Sequence, residues 1–299
     1  MNGKYFIWIL LTVICLSCQN RAEKKSASKQ KVPLSLSDQL KLISPVIVQS
    51  PNFDGSILPS LGRAFPILKF ASKKRNQITD EQDWFVQNQI SLPIYKVPNQ
   101  IRNISGNLPK GIPLRYKGYI ISDGFKYDTY NIFFYGVNFG EKRFAMVTDG
   151  ANKELKHFLD FENFNYAPKT KIGDEDFVFQ SIQWASIENN VLFISHGHPT
   201  YAKSTYGKNA YISAINLENY EIIWTSEPLT CNSTFTIVDS TIICGYGFTA
   251  ETDYLFVLDK HTGARVQKIR IDKGPSYVIQ KGNKILVRTY DLDYEFHLK

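Results

Sequence analysis

Residues 214–224 read AINLENYEIIW and residues 257–267 read VLDKHTGARVQ, so that the second stretch follows the first at an interval of 43 residues. Aligned without gaps, the two stretches place apolar residues opposite apolar residues. Two predicted hairpin turns, at Asp239 and Gly282, are separated by the same interval. A repeat of about 40–45 residues with four strands in each unit is typical of a β-propeller blade.

The sequence from residue 115 onward consists of short apolar-alternating runs separated by Asn, Asp and Gly. This pattern predicts antiparallel strands joined by tight turns. A weaker third copy of the repeat is MVTDGANKELK, residues 146–156. The predicted strands are 119–123, 130–136, 143–148, 181–187, 191–195, 235–238, 241–245, 277–280 and 285–289.

The composition agrees with a chain built from β-strands. Among 299 residues there are 20 Phe, 17 Tyr and 31 Ile against 13 Ala. Aromatic and β-branched residues suit the half-buried surface of a sheet, whereas Ala favours helices. We therefore predict an all-β protein of four-stranded antiparallel blades.

Residues 34–110 carry weaker signals, with possible strands at 45–49, 66–71 and 91–96 and a short helix from 79 through 87. We expect five or six blades, the first of them degenerate. The last run, 292–297, is placed to pair with a strand from the start of the domain, which would remove an open sheet edge.

The repeat resembles that of the pyrroloquinoline-quinone-type β-propellers, whose pattern is roughly A-L-D-x-x-T-G-x-x-x-W. Asn216 and Trp224 match this pattern in one copy, and Asp259, Thr262 and Gly263 match it in the next. The resemblance implies a turn closed by Asp and Thr, with Gly in a positive-φ conformation. It also implies that the Trp ring wedges between neighbouring blades. Asn219-Tyr220 replaces Thr-Gly in one copy, and Gln267 replaces Trp in the other.

The amino terminus has the order of a secretory signal. Lys4 precedes a twelve-residue apolar run, 5–16, which is too short to cross a bilayer as a helix. Because the segment ends at Ser17-Cys18, it resembles a bacterial lipoprotein signal, which implies that Cys18 receives lipid. The alternatives are an ordinary cleaved signal or a short uncleaved anchor.

Three segments follow from this interpretation: a signal peptide at 1–17, a flexible basic tether at 18–33 and a β-propeller-like domain at 34–299. The formal net charge is +7, but the signal and the tether carry most of it and leave +2 on residues 34–299. A domain with so little charge has no strong attraction for phosphate backbones, so we expect no nucleic-acid partner. The basic tether is expected to lie against anionic lipid head groups.

Two cysteines, Cys231 and Cys244, remain beyond the signal. A regular hairpin turning at Asp239 would place Cys244 opposite residue 235, and Cys231 would then be too distant for a disulfide. We expect two buried thiols. A disulfide is the alternative in an exporting compartment, if the hairpin is irregular.

Sequence signals for chemistry are weak. His196 and His198 lie two residues apart at a strand end, but no third ligand is indicated, so we predict no metal site. The acidic run 174–176 lacks the alternating ligand order of a calcium loop and is read as a solvated turn. The better candidate for binding is the long loop that contains these histidines together with Tyr201 and Tyr206. A mobile spacer is the alternative for that loop.

The resemblance also raises quinone-dependent alcohol oxidation. Enzymes of that family have a vicinal cysteine pair, a calcium-holding set of Glu, Asn and Asp, and about eight blades. This chain has no adjacent cysteines and too few residues for eight blades, so we expect no quinone and no other cofactor. A fold alone does not confer its relatives' function.

The sequence therefore favours a lipid-anchored protein of the bacterial cell envelope, at the outer membrane, that binds an envelope protein and catalyses nothing. In layout it is similar to the propeller lipoprotein of the outer-membrane β-barrel assembly machinery. One alternative is an enzyme with its active site in the central cleft. The other is a surface lipoprotein that captures sugars or peptides, favoured if Tyr201, Tyr206 and Trp184 line one groove.

Overall fold

The computed structural model of the chain describes residues 33–60, 62–78, 80–98, 105–138, 140–166 and 178–299. Within these ranges Leu34–Lys299 form one compact unit that is mostly β-strand. The signal peptide, Cys18 and the tether up to residue 32 lie outside the described residues, as does the acidic run 174–176.

The described part contains nineteen strands, two helices and a 3-10 turn at Ala202–Thr205. The helices are α1 (Leu36–Leu42) and α2 (Glu81–Gln87). The strands are, in chain order, β1 (Val46–Ile47), β2 (Leu68–Arg75), β3 (Ile94–Tyr95), β4 (Arg115–Tyr116), β5 (Tyr119–Lys126), β6 (Tyr130–Gly136), β7 (Lys142–Asp149), β8 (Leu155–Asp160), β9 (Ser181–Glu188), β10 (Val191–Gly197), β11 (Tyr211–Asn216), β12 (Ile222–Thr225), β13 (Thr236–Val238), β14 (Thr241–Tyr246), β15 (Tyr254–Asp259), β16 (Arg265–Arg270), β17 (Pro275–Lys281), β18 (Lys284–Thr289) and β19 (Leu292–Leu298).

These strands form four sheets. The first sheet has the order β1-β8-β7-β6-β5-β3, with β4 also paired to β5. The second sheet is β9 to β12 and the third is β13 to β16, each in chain order. The fourth sheet is β17-β18-β19-β2. Every pairing is antiparallel except that of β1 with β8.

The hairpins form where the sequence supplies turn residues. Asn189 and Asn190, between β9 and β10, both have positive φ, which is the requirement of a type I′ turn. Asp239 has positive φ between β13 and β14, and Gly282 has positive φ between β17 and β18. Each of these hairpins was predicted from the sequence, because the signal for a tight turn is local.

A β-bulge recurs at one position in three of the sheets. The register shifts between Val147 and Thr148 in the first sheet, and the two corresponding shifts follow Ala214 and Val257. The 43-residue repeat between the second and third sheets is therefore present in the strand register. In the first sheet Val147, rather than Met146, takes the position of Ala214, so the third copy starts one residue later than the sequence alignment placed it.

Three apolar cores each lie between successive sheets. The first core joins residues of the first and second sheets, such as Phe134 and Leu192. The second joins the second and third sheets, and the third joins the third and fourth. The sheets are thus stacked in chain order, each burying one face on the next.

The faces at the two ends of this stack are covered by the amino-terminal residues. Leu36 and Leu40 of α1 pack on the first sheet beside Phe133. Trp84 and Phe85 of α2 lie on the fourth sheet, where the Phe85 ring is 5.0 Å from that of Tyr277. The described residues form four sheets, whereas the sequence predicts five or six blades; within 34–118 the described helices cover faces and the described strands extend these sheets.

The last strand pairs with a strand from near the start of the domain. β19 lies antiparallel to β2, with Tyr294 opposite Lys73 and His297 opposite Lys69. The predicted strand 292–297 is present and has a partner from the amino-terminal part. This pairing joins residues more than 200 positions apart within one sheet.

Candidate functional site

A cavity of about 570 Å³ is lined by residues in or next to strands of all four sheets. It is lined by residues of β5, β9 and β17, by the segment 232–234 that leads into β13, and by residues 92–97 around β3. Its aromatic lining residues are Tyr95, Phe125, Trp184 and Tyr277. Its uncharged polar lining residues are Ser122, Gln183, Asn232, Ser233, Thr234 and Ser276.

The aromatic side chains of this cavity are held by their neighbours. The Trp184 ring stands edge-on to Phe125 with the centroids 4.9 Å apart. The Tyr95 ring stacks on Phe133, and its hydroxyl donates to Asn131 Oδ1 at 3.1 Å. Because these rings have fixed orientations, they offer a rigid surface to a ligand.

Charged groups are sparse in the described lining, which includes the carboxylate Asp123 and the cation Lys96. Asp123 is paired with Lys142, whose Nζ lies 3.0 Å from its carboxylate oxygen. Gln183 donates to the carbonyl of Gly197, and its buried Oε1 has no hydrogen-bond partner. Such a lining suits a neutral ligand with hydroxyl or amide groups.

A second cavity of about 420 Å³ continues along the same strands toward their opposite ends. Leu92 and Trp184 line both cavities, so the indole lies between them. Tyr127 donates to the carbonyl of Ala185 at 2.6 Å, and Tyr130 donates to that of Ile187 at 2.9 Å. Burial raises the pKa of both tyrosines, which therefore remain neutral hydrogen-bond donors.

His196 and His198 lie in the interior, away from the lining of the large cavity. The His196 ring stacks on Tyr211 at 5.2 Å, and its Nε2 lies 3.0 Å from Ser213 Oγ. The Nε2 of His198 lies 2.8 Å from Thr205 Oγ1. Burial lowers the pKa of His196 to about 3 and that of His198 to about 4, so both are neutral near pH 7.

The loop between β10 and β11 is folded against the domain. The Tyr201 ring stands edge-on to Phe248 at 4.7 Å, and the amide of Ala202 donates to Glu251 Oε1 at 2.9 Å. Tyr206 lies in the same loop and is exposed, at 51%. Trp184 lines the cavity of 570 Å³, whereas Tyr201 packs on Phe248. Binding by the loop between β10 and β11 stays a prediction.

The repeat residues form a turn between β15 and β16 that contacts the second sheet. Asp259 accepts bonds from the amide of His261 and the hydroxyl of Thr262, at 2.9 and 2.8 Å. Gly263 has a φ of +75°, and a Cβ there would lie 2.5 Å from Cε3 of Trp224. Trp224 Nε1 donates to the carbonyl of Lys260 at 3.2 Å. The indole of one sheet thus rests on the turn of the next.

Asn216 occupies the corresponding turn of the second sheet. The side-chain oxygen of Asn216 accepts from the backbone amide of Glu218 at 2.8 Å, and the backbone amide of Asn216 donates to the carbonyl of Glu221. Tyr220 has positive φ at the position of Gly263. The substitution of Asn219-Tyr220 for Thr-Gly therefore leaves the turn in place at the cost of a strained residue.

Two polar residues take the place of Trp224 in the other sheets, and the repeat alignment finds Gln267 there but misses His157. The register puts His157 there in the first sheet and Gln267 in the third. His157 Nδ1 lies 3.2 Å from the Tyr220 hydroxyl on the following sheet. Gln267 exchanges two hydrogen bonds with the backbone of Leu68, of 2.7 and 2.8 Å. The strand register identifies His157, which the sequence alignment of the third copy places one residue away from this position.

Cys231 and Cys244 are free and buried, as the sequence predicts. Among the described residues, no group of three or more His, Cys, Asp or Glu side chains is placed to hold a metal ion. In the same part of the chain, no helix is both long and apolar enough to span a membrane.

No protein-family model and no curated protein matches this chain. Solved structures with similarity include a europium-containing methanol dehydrogenase, with 12% identity and a TM-score of 0.33 over 52% of this chain. BamB from Moraxella catarrhalis has 7% identity and a TM-score of 0.32 over 78% of this chain. The Bacteroides ovatus protein "Xyloglucan PUL GH43B" has 11% identity and a TM-score of 0.31 over 59%.

These similarities differ in how much of the other protein they include. The matched part covers 27% of the methanol dehydrogenase chain and 34% of the GH43B chain, but 98% of BamB. The chain thus spans about a quarter to a third of two of these proteins. The description of its fold rests on its own strand pairing and cores.

Proposed function

We propose that this chain is a non-catalytic binding lipoprotein of the bacterial cell envelope. In this proposal a lipid on Cys18 holds it at the outer membrane, residues 18–33 give it reach, and its β-propeller domain contacts an envelope protein. The partner binds at the exposed apolar edge of the first sheet.

The order of the sheets supports the propeller. Successive sheets bury their faces on each other, and residues in or next to strands of every sheet line one central cavity. Trp224, Gln267 and His157 each connect a sheet to the next one. In the proposal each sheet is a blade of a ring, and the pairing of β2 with β19 ties the amino-terminal part, which covers the two end faces, to the last blade.

One observation carries the choice of partner. Leu42, Ile43, Val46 and Ile47 follow one another closely in the chain, and all are exposed, with Leu42 at 72% and Ile47 at 53%. β1, which contains the last two, is a terminal strand of the first sheet. Exposed apolar side chains beside an unpaired strand edge are typical of a protein-binding surface.

A groove beside this segment indicates the chemistry of the partner. Its volume is about 430 Å³, and its walls include Leu40, Ile43 and Pro113. Arg115 and Lys117 lie at the same groove. We therefore expect an extended partner segment with apolar anchors flanked by carboxylates.

The test is reciprocal crosslinking and capture of the membrane-extracted protein, followed by binding of the purified partner. Leu42→Glu should abolish binding, since it buries a charge in an apolar contact. Val86→Glu is the matched control, because Val86 is equally exposed, at 77%, but lies on α2. The proposal requires binding by wild type and by Val86→Glu, and loss with Leu42→Glu. Equal binding by all three, or association only with protein-free vesicles, would contradict it.

A specific observation also favours the capture of a neutral ligand as a second function. The large cavity combines four aromatic rings with six uncharged polar side chains. An enzyme has less support there, since Asp123 is paired with Lys142 and His196 bonds to Ser213 outside the lining. Binding to an oligosaccharide array that is lost in Trp184→Ala would support capture, and no binding to any saccharide would exclude it.

A further inference from the structure

The two cysteines lie on an irregular part of a hairpin. β13 and β14 pair regularly, with Thr236 opposite Ile243, and continuation of this register would place residue 234 opposite Gly245. Instead, the amide of Asn232 donates to the carbonyl of Gly245 at 3.1 Å. The chain therefore bulges by two residues before Phe235, which brings the segment 230–232 against β14.

Side-chain bonds fix this bulge. Asn232 Nδ2 donates to the carbonyl of Gly247 at 2.7 Å, and the amide of Gly247 donates to Asn232 Oδ1 at 3.3 Å. On the other side of Cys231, the amide of Thr230 donates to the carbonyl of Ala210 at 2.8 Å. Cys231 is thus held between two anchored neighbours.

The thiols meet inside the core between the second and third sheets, where both cysteines are fully buried. Cys244 Sγ donates to the carbonyl of Thr230, the neighbour of Cys231, at 3.6 Å. Burial, together with the neighbouring thiol, raises the pKa of Cys244 well above its usual value. The regular hairpin on which the expected separation of Cys231 and Cys244 was based is therefore not present, because the chain bulges before Phe235.

We propose that Cys231 and Cys244 form a disulfide when the chain folds in an oxidising compartment. In the step, a bond forms between the two Sγ atoms, and each thiol gives up a hydrogen. A disulfide oxidant, small or protein-borne, accepts the two electrons and two protons and becomes two thiols. Because both Sγ atoms are buried in the folded chain, exchange occurs before β14 packs on the second sheet.

The bond would close a short loop that contains β13 and its turn. Crosslinking of this kind restricts the unfolded chain and raises the melting temperature, here by about 5–10 °C for a loop of this length. Once formed, the bond lies in the core, where a reductant reaches it slowly. It would link the bulged segment 230–232 covalently to β14, which contributes to the core between the second and third sheets.

The direct test is a count of free thiols in the full-length protein, exported and purified without reductant. The protein is unfolded in the presence of an alkylating reagent and digested with trypsin. No Lys or Arg lies between Lys208 and Lys260, so both cysteines fall on the peptide 209–260, apart from Cys15 and Cys18. We expect this peptide to be unmodified and two hydrogens lighter, and to gain two adducts when a reductant is added first. Two adducts without reductant, also after refolding with glutathione disulfide, would overturn the proposal.

Thermal unfolding provides the second measurement. Wild type should melt at a higher temperature without reductant than after it has been unfolded, reduced and refolded with reductant, whereas Cys231→Ala and Cys244→Ala should each melt at one temperature under both conditions. If these variants do not fold, the peptide analysis of wild type decides alone. A wild-type melting temperature unaffected by reductant would contradict the crosslink.

Discussion

The contact between Trp224 and Gly263 gives the sharpest prediction about how the sheets are joined. Trp224 is buried at 1% exposure, and its removal as Trp224→Ala should lower the free energy of unfolding by about 3–5 kcal/mol. Gly263→Ala should lower the free energy of unfolding by about 1–2 kcal/mol, because Ala would have to adopt the left-handed backbone conformation. The same substitution should lower it by about 1–3 kcal/mol more, because the added methyl would lie 2.5 Å from the indole of Trp224.

The second cost of Gly263→Ala depends on the indole, so it should vanish when Trp224 is already Ala. The double-mutant cycle should therefore give a coupling of about 1–3 kcal/mol between the two positions. Urea unfolding followed by far-ultraviolet circular dichroism measures it, since that signal does not depend on the deleted indole. Trp184→Ala combined with Gly263→Ala is the control and should be additive. If Gly263→Ala costs the same in wild type and in Trp224→Ala, the docking of the indole on the turn is refuted.

Three further results are expected. Burial lowers the pKa of His196 to about 3, so the unfolded chain binds the proton more tightly, and the free energy of unfolding should fall as pH decreases from 6.5 to 3. In urea titrations at several pH values, His196→Gln should show a smaller fall. An identical pH dependence of the variant and wild type would contradict the burial argument. Gln267→Leu removes both hydrogen bonds to the backbone of Leu68 and should lower the free energy of unfolding by about 1–2 kcal/mol, as measured by urea unfolding. An unchanged urea midpoint would contradict a stabilising role of these two hydrogen bonds. Cys18→Ala should release the protein from membranes and abolish incorporation of a labelled fatty acid; continued membrane association would show that the lipid assignment is wrong.

Local signals explain the parts of the fold that could be predicted. Three turns could be predicted from the sequence because a positive φ restricts the residue type at its position: Asn189-Asn190, Asp239 and Gly282. The helix α2 was predicted with Thr79 at its start, and the structure caps it with Asp80, which accepts from the amides of Gln82 and Asp83. The helix α1 was missed, although Ser35 caps it by the same mechanism.

Non-local pairing explains the rest. The last run was expected to pair with a strand from the start of the domain, but nothing in residues 68–75 identifies this strand as that partner. The bulge that brings Cys231 to Cys244 depends on the bonds of Asn232 to Gly245 and Gly247, which no periodicity reveals. The lining of the central cavity comes from four sheets and could not be assembled from one sequence. His196 and His198 were singled out for their spacing, but burial decides their protonation state.

The pairing of β2 with β19 is tested most directly by disulfide trapping. Lys69 and His297 are paired across these strands, and paired residues of antiparallel strands have Cα atoms within the range that a disulfide bridges. Lys69→Cys with His297→Cys should crosslink rapidly, as identified by peptide mapping. Lys69→Cys with Glu295→Cys, two residues out of register, should crosslink far less. Equal trapping of both pairs, or none of either, would contradict the pairing that ties the amino-terminal part to the last blade of the proposed ring.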